Sequence, residues 1–335
     1  MKLLIITQKV DLDDDNLAFF HSWIKKFTEG GDGVVVITQY EGRHSLPANT
    51  KVCSLGKEKG FSKVRQLINF YRILFKNIGK VDRVFVHMIP MWVVFGSPIF
   101  KIFGKRSYLW YTHKSVTTSL KFAEKIVDQI FTASGESFRL PSKKLVVTGH
   151  GIDTDFFSPG EKSRDDVFRI LSVSRISEAK NIGLMIEAVE KLVSERRFVE
   201  FVIVGGPITM ADKAYFEKIK GSTSSAIKFV GPVSQEKVRD YYRKSDLFLN
   251  FSKTGSVDKA VLEAMSSGVN ILTSNEAFFE MLPTQNTTKD LNKDVIAEKI
   301  GQLMNRKSNT SSLREIVVKN HNLNNLIQKL LELMK

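Results

Sequence analysis

Between positions 172 and 272 the chain places basic side chains, small loop residues and one carboxylate directly after short apolar runs, residue types suited to gripping an anion. Asp246-Leu247-Phe248-Leu249-Asn250 leads into small polar residues from Ser252 to Asp258, then into Lys259-Ala260-Val261-Leu262-Glu263-Ala264-Met265, and Gly268-Val269-Asn270-Ile271-Leu272 follows. The order reads strand, loop, helix, strand. Gly255 and Ser256 let the backbone approach a ligand closely, and the helix start behind them offers unpaired N–H groups and a positive dipole end. Phosphate is the natural guest. Glu263, about seven residues into that helix and roughly 10 Å along its axis, shares a face with Ser256. Such spacing suits a diphosphate at the helix start and a ribose hydroxyl further along.

Upstream, Ser172-Val173-Ser174-Arg175 leaves a strand and Lys180-Asn181 opens a helix over 182–192, so Arg175 and Lys180 are placed to meet a phosphate at the carboxyl ends of strands. Val204 runs into Gly205-Gly206-Pro207, a second place for close backbone approach. Val230-Gly231-Pro232-Val233-Ser234 is a turn before a helix over 235–244, and its peptide groups suit the edge of a flat base. The competing reading makes Arg175 and Lys180 ordinary surface cations and Glu263 a solvated helix residue. Strand-end placement argues against the first, and the apolar neighbours of Glu263 against the second.

The elements that must position these groups alternate along the whole chain. Buried-strand runs fall at 3–7, 33–37, 83–87, 107–111, 129–133 and 144–148, with helical patterns at 17–27, 62–75 and 115–127. After Pro159-Gly160-Glu161-Lys162-Ser163, of linker composition, the pattern restarts with strands at 168–173, 199–204, 226–230, 246–250 and 269–273. Alternation of this kind predicts an α/β protein with two doubly wound parallel sheets and a cleft between similar domains. Length alone favours two domains, since 335 residues exceed what one core holds. Leu323, Leu326, Ile327, Leu330, Leu331 and Met334 form an apolar stripe, predicting a packed terminal helix.

A net charge of +14 implies an anionic partner: nucleotide, nucleic acid or an acidic membrane surface. The single Cys53 excludes an internal disulfide and a multi-cysteine metal site, consistent with a reducing, cytoplasmic setting. The first seven residues read as a strand and not as a signal peptide, and no apolar run reaches the roughly 20 residues that span a bilayer. No G-x-G-x-x-G turn supports a dinucleotide oxidoreductase, and no helix-turn-helix or zinc-finger spacing supports a nucleic-acid-binding protein. The acidic run from Asp11 to Asp15 invites a metal reading, but its place after the first strand favours helix capping and a solvated loop. His87 and His150 adjoin strands and read as structural. In 61–80, Phe61, Val64, Leu67, Ile68, Tyr71, Leu74 and Phe75 recur at helical spacing among Lys63, Arg65, Arg72 and Lys76. An aromatic stretch follows over 88–103. A basic amphipathic face of this kind suits peripheral contact with anionic lipid, and a core-facing helix is the competing reading.

Taken together, Val173-Ser174-Arg175 with Lys180-Asn181, Val204-Gly205-Gly206-Pro207, Phe229-Val230-Gly231 with Asp246, and Leu262-Glu263-Ala264-Met265 with Gly268 resemble the donor domain of retaining GT-B glycosyltransferases of family four, the glycosyl transferases group 1. Gly149-His150-Gly151-Ile152-Asp153 with Phe157 and Pro159 resembles the family's passage between domains. The resemblance implies an acceptor domain over 1–159, a nucleotide-sugar domain over 160–318, and a helix over 319–335 returning to the first domain. Arg175 and Lys180 would bind the donor diphosphate, Glu263 the ribose, backbone at Gly255, Ser256 and Val257 the phosphate oxygens, and the turn at Val230 and Gly231 the base. Gly205 lines the same site, and His113 would hydrogen-bond the transferred sugar. No cofactor or metal is expected. The implied activity is retaining transfer from a UDP- or GDP-sugar to a glycan or lipid-linked acceptor, as in cell-envelope polysaccharide assembly. Two departures stand out: Gly255 occupies the place of a usual second glutamate, and Gln8 to Asn16 replaces a usual glycine-rich loop. Asp11 and Asp13 become candidates for acceptor hydroxyls, and a catalytically impaired sugar-nucleotide binder becomes the alternative.

Overall fold

Aliphatic runs bounded by turns fold here as parallel strands covered on both faces, and the amphipathic stretches between them form the covering helices. A computed structural model describes the chain except positions 15–16, 162–164, 222, 254 and 306–309. Asp15 and Asn16 of the loop after the first strand, Lys162 and Ser163 of the expected linker, and position 254 of the anion loop lie outside the described residues. Two compact units result, Met1–Gly151 with Leu323–Lys335, and Ile152–Asn322.

The first unit holds β1 (Leu3–Val10), β2 (Val34–Glu41), β3 (Thr50–Ser54), β4 (Arg83–His87), β5 (Arg106–Trp110), β6 (Gln129–Thr132) and β7 (Leu145–Val147). They pair in parallel in the order β3-β2-β1-β4-β5-β6-β7. The edge strand β3 is absent from the apolar runs of the sequence. Its Thr-Lys-Val-Cys-Ser residues are nowhere fully buried, so nothing selected a hydrophobic signature. Between strands lie α1 (Phe19–Glu29), α2 (Lys63–Asn77), α3 (Pro90–Ile102) and α4 (Thr118–Ile126). Helices α2, α3 and α4 bury Phe70, Leu74, Trp92, Val93, Leu120 and Ala123 on one face of the sheet. On the other, α1 buries Phe20, Trp23, Ile24 and Phe27. Ser62 and Thr117 cap α2 and α4, accepting from the N–H of Arg65 at 3.3 Å and of Leu120 at 3.2 Å.

The second unit holds β8 (Phe168–Val173), β9 (Val199–Val204), β10 (Ile227–Gly231), β11 (Leu247–Asn250) and β12 (Asn270–Thr273), parallel in the order β10-β9-β8-β11-β12. Its helices are α5 (Ile182–Ser194), α6 (Met210–Lys220), α7 (Gln235–Lys244), α8 (Lys259–Ser266), α9 (Lys293–Met304) and α10 (Thr310–Asn320). The stretch from Ile152 to Pro159 belongs here: Phe157 is in this unit's core, and Arg243 Nε donates to the Ser158 carbonyl at 3.0 Å. The chain thus leaves the first unit at Gly151 instead of at the linker-like residues after Pro159.

The last helix, α11 (Leu323–Leu333), returns to the first unit and buries Leu323, Leu326, Ile327 and Leu330 beside α1. Each such side chain contributes roughly 1.5–3 kcal/mol of hydrophobic burial. Past its end, Met334's carbonyl accepts from Arg83 Nε at 2.8 Å and from Tyr108 Oη at 3.2 Å. Among the described residues no helix is long and apolar enough to cross a membrane.

Candidate functional site

In the five-stranded sheet the strand order reverses between β8 and β11, and ligands of such sheets bind beyond the carboxyl ends of the strands at that point. Ser174-Arg175 follows β8 there, and Phe251-Ser252 follows β11. Three hydrogen bonds tie the two loops together. Lys180 Nζ donates to Ser252 Oγ at 3.0 Å, Asn181 Nδ2 to the Phe251 carbonyl at 2.8 Å, and the Lys253 N–H to the Ala179 carbonyl at 3.0 Å. Asn181, at φ +52°, makes the sharp entry into α5.

Lys180 is also paired with Asp258, its Nζ 3.1 and 3.2 Å from the two carboxylate oxygens. Asn250 Nδ2 donates to the same carboxylate at 2.9 Å. Asp258 stands in the capping position of α8, yet its side chain caps no backbone N–H, because the carboxylate is turned toward Lys180 and Asn250. The helix begins at Lys259, which corrects the expectation of a start near Ser256: Glu263 lies in the second turn and not seven residues in. Gly255 at φ +59° and Asp258 at ψ 122° keep the loop out of the helical conformation. Within that loop the Ser256 carbonyl accepts from Asn275 Nδ2 at 2.8 Å, and the Val257 side chain is in the core.

Arg175 is 44% exposed at its side chain, and its Nε lies 3.8 Å from Asp212. Backbone N–H donation from Thr209, with further help from Ile208 and from Arg175 itself, holds the Asp212 carboxyl below its usual range. Gly205 is indispensable: at φ +120°, a Cβ would sit 2.0 Å from the Ser174 carbonyl oxygen. Its N–H donates to the Gly231 carbonyl at 2.9 Å, so the turns after β8, β9 and β10 form one layer. Gly231, at φ +82°, therefore has its carbonyl engaged, beside a half-buried Val230.

Glu263 is 8% exposed, which rules out the solvated reading. One carboxylate oxygen lies 3.2 Å from Lys259 Nζ, and the other accepts from Tyr242 Oη at 3.3 Å. Burial pushes the Tyr242 phenol well above its ordinary value, reinforced by the charge of Glu263, so the phenol stays a donor. Burial also lowers the Lys259 ammonium, opposed by Glu263. Both partners fix the direction of the carboxylate, and each oxygen keeps acceptor capacity for a further hydroxyl.

The remaining predicted residues lie in the first unit. His113 follows β5 and is exposed; its Nδ1 accepts the Ser115 N–H at 3.0 Å, which puts the proton of the neutral ring on Nε2. Asp11 accepts the Asp13 N–H at 3.1 Å, and Asp13 accepts from Arg43 Nε at 2.8 Å, a contact that holds its carboxyl below the usual range. Asp14 accepts the Leu17 N–H at 2.6 Å just ahead of α1 and pairs with Lys9. The described part of the acidic run thus ties a loop together, and it does not cap α1, whose N-cap position is Ala18 with no side-chain hydrogen bond. No cluster of three metal-ligating side chains occurs among the described residues. His87 is structural, buried with its Nδ1 3.3 Å from Thr7 Oγ1.

Sequence reasoning did not assign roles to Asn250, Ser252, Lys259 or Tyr242. The i,i+4 spacing of Lys259 and Glu263 was a usable signal for one of them. Tyr242 gave none, since it reaches Glu263 from α7.

The glycosyl transferases group 1 family model matches residues 167–306. The amylovoran biosynthesis glycosyltransferase AmsK of Erwinia amylovora is 29% identical over 178 residues, 50% of this chain and 43% of that protein. Alpha-monoglucosyldiacylglycerol synthase of Acholeplasma laidlawii is 31% identical over 120 residues, 35% of this chain and 29% of that protein. These matches span less than half the length of either relative. Anabaena HepE, solved in complex with UDP, superposes with a TM-score of 0.77 at 14% identity, covering 100% of this chain and 99% of that one. A glycosyltransferase from Rickettsia africae gives 0.73 at 16% identity, covering 99% and 98%. Identities this low speak for fold alone, whereas the family match falls on the unit that carries the crevice. The chain thus has the fold of the GT-B glycosyltransferases, and its residues 167–306 match the glycosyl transferases group 1 family model.

Proposed function

We propose that this protein is a glycosyltransferase that moves a sugar from a nucleoside-diphosphate sugar, UDP ahead of GDP, to a glycan or lipid-linked acceptor with retention of configuration. The observation that carries the reading is the crevice after β8 and β11, where Lys180, Arg175 and the close-packed Gly205 converge at the strand ends. In transfer, the bond from the sugar's anomeric carbon to the diphosphate oxygen breaks, the acceptor oxygen bonds that carbon from the same face, and the acceptor proton passes to the departing phosphate. Positive charge grows on the sugar and negative charge on the diphosphate, so cations aimed at the phosphate are the main requirement. Arg175 and Lys180 supply them as side chains, and the reading needs no divalent ion. Glu263, aimed by Lys259 and Tyr242, accepts from ribose hydroxyls. Backbone at Gly255, Ser256 and Val257 meets phosphate oxygens, and the turn at Val230 and Gly231 meets the base. His113, a donor through Nε2, hydrogen-bonds the transferred sugar, while Asp11 and Asp13 meet the acceptor. UDP leads because the HepE structure of the same fold holds UDP.

Calorimetric titration of UDP and GDP into the wild type and Arg175→Ala, without added metal, tests the donor site. Micromolar binding of UDP, lost in the variant, is the expected result; binding of neither nucleotide overturns the reading. An inverted anomeric product by NMR would remove retention alone. Gly255, where relatives of this kind place a glutamate, favours a second reading, a protein that holds the sugar nucleotide and does not transfer it. Measuring donor hydrolysis and transfer separately distinguishes the two.

A further inference from the structure

Eight of the fifteen large apolar side chains left exposed among the described residues fall between positions 64 and 122, on or beside α2, α3 and α4. These helices form one layer over the first sheet and share its core. On α2, Val64, Ile68, Arg72 and Phe75 follow one another at helical spacing along the outward face. Val64 is 68%, Ile68 62% and Phe75 58% exposed. Phe70 and Leu74 carry the core contact on the opposite side. The helix has four basic residues, Lys63, Arg65, Arg72 and Lys76, and no acidic one. So the sequence pattern that predicted an amphipathic helix resolves into two apolar stripes, one buried and one left in water between cations.

The stripe continues onto α3. Phe70 and Trp92 bring the two helices together with rings 4.5 Å apart, and Tyr71 Oη donates to the Phe95 carbonyl at 3.2 Å. At the far end, a Cβ on Gly79, just past α2, would lie 4.0 Å from the Phe103 ring, just past α3. Ile102, 78% exposed, projects there beside Phe103 and Lys101. A cavity of about 270 Å³ formed at the end of α3 and the start of β5 has Lys101, Lys105 and Arg106 in its lining. Its one carboxylate, Asp128, is already engaged by the Ser107 N–H at 2.8 Å.

We propose that this outer face of α2 and α3 docks on an anionic phospholipid bilayer, the exposed apolar side chains entering the interface and the cations meeting lipid phosphates. A protein partner of ordinary surface would meet an apolar stripe with charges of both signs. Here the stripe is flanked by one sign only, which is the complement of a negatively charged lipid surface. A contiguous apolar face of this kind is also uncommon on a protein that stays in water. The surface lies wholly within the first unit, so this inference stands or falls apart from the donor site in the second.

The test is flotation of the full chain with vesicles of phosphatidylcholine alone and of phosphatidylcholine with phosphatidylglycerol, at low and at high salt. Binding to the phosphatidylglycerol vesicles only, lost at high salt, is expected. Arg72→Gln with Lys76→Gln should weaken it by about 30-fold, roughly fivefold for each charge removed. Ile68→Ser with Phe75→Ser should weaken it further, and both double variants should keep the wild-type circular dichroism spectrum and thermal unfolding midpoint, which report that they fold. Equal binding to neutral vesicles, no binding at low salt, or wild-type flotation of both variants overturns the proposal. Self-association that vanishes in Ile68→Ser with Phe75→Ser, without any vesicle binding, also overturns it and assigns the face to a second copy of the chain.

Discussion

The two sheets reverse their strand order in the same way, between β1 and β4 in one and between β8 and β11 in the other, yet among the described residues aromatic rings cover the first reversal and polar side chains line the second. In the first, His87 at the end of β4 is buried and stacks on Phe20 of α1 with ring centres 3.8 Å apart. Phe19 and Trp23 add ring contacts with His87 at 6.0 and 6.1 Å. That position is plugged by aromatic rings, and the polar groups after β1 lie further out, with Asp13 held by Arg43. In the second, the same position holds glycine turns and the partly exposed Lys180 and Asp258. Topology offers a crevice twice, and the side chains at the strand ends decide whether it is filled or functional.

If the first crevice is a plug, removing its central ring should cost stability and leave donor binding alone. Phe20→Ala should lower unfolding free energy by about 3–5 kcal/mol, the range for deleting a buried aromatic. Urea unfolding measures it, with UDP titration of the folded protein as the control; a matching loss of UDP affinity would break the comparison. A second test concerns acid. Burial depresses two histidines, His21 on α1 and, further, His321 at the end of α10, whose folded value is about 4 against an ordinary 6.5. Its neutral form is favoured on folding, so its contribution is complete above pH 6.5 and is lost as pH falls toward 4. The loss reaches about 3 kcal/mol at most. His321→Phe should flatten the acid limb of stability against pH. A limb that persisted there and disappeared on replacing His21 would place the titration on α1 beside the plugged crevice.

The sequence was legible where burial leaves a pattern. Buried β4, β8 and β9 matched their apolar runs residue for residue, while the half-buried edge strand β3 had no run to read. Lys180 was placed correctly at the crevice by its position after a strand. Its pairing with Asp258 was not legible, because the two are distant in sequence and meet only through the pairing of β8 with β11. The start of α8 was misplaced because the small residues Gly255 and Ser256 read as the helix entry, whereas Gly255 at φ +59° and Asp258 at ψ 122° hold the loop out of the helix until Lys259. Exposure on α2 was not decidable from periodicity, since a buried and a bare apolar stripe have the same spacing.

Within the open crevice, Lys180→Ala should lower transfer by about 10²-fold, the usual cost of removing one group that stabilises developing charge. It also leaves Asp258 facing the diphosphate without its cation, so the variant combines two losses. Asp258→Asn separates them. Lys180 keeps a hydrogen-bonding partner at that position but loses a negative charge beside the phosphate site, and UDP should bind about threefold to tenfold tighter, discounted for the partial exposure of the pair. If the carboxylate does no more than hold Lys180, transfer at saturating donor should stay near wild type. If it takes over hydroxyls of the sugar that Gly255 cannot reach, UDP affinity should rise while kcat for the UDP-sugar falls. That opposite movement of affinity and turnover distinguishes a sugar-binding carboxylate from a mere counter-ion, and unchanged UDP affinity would sink both roles.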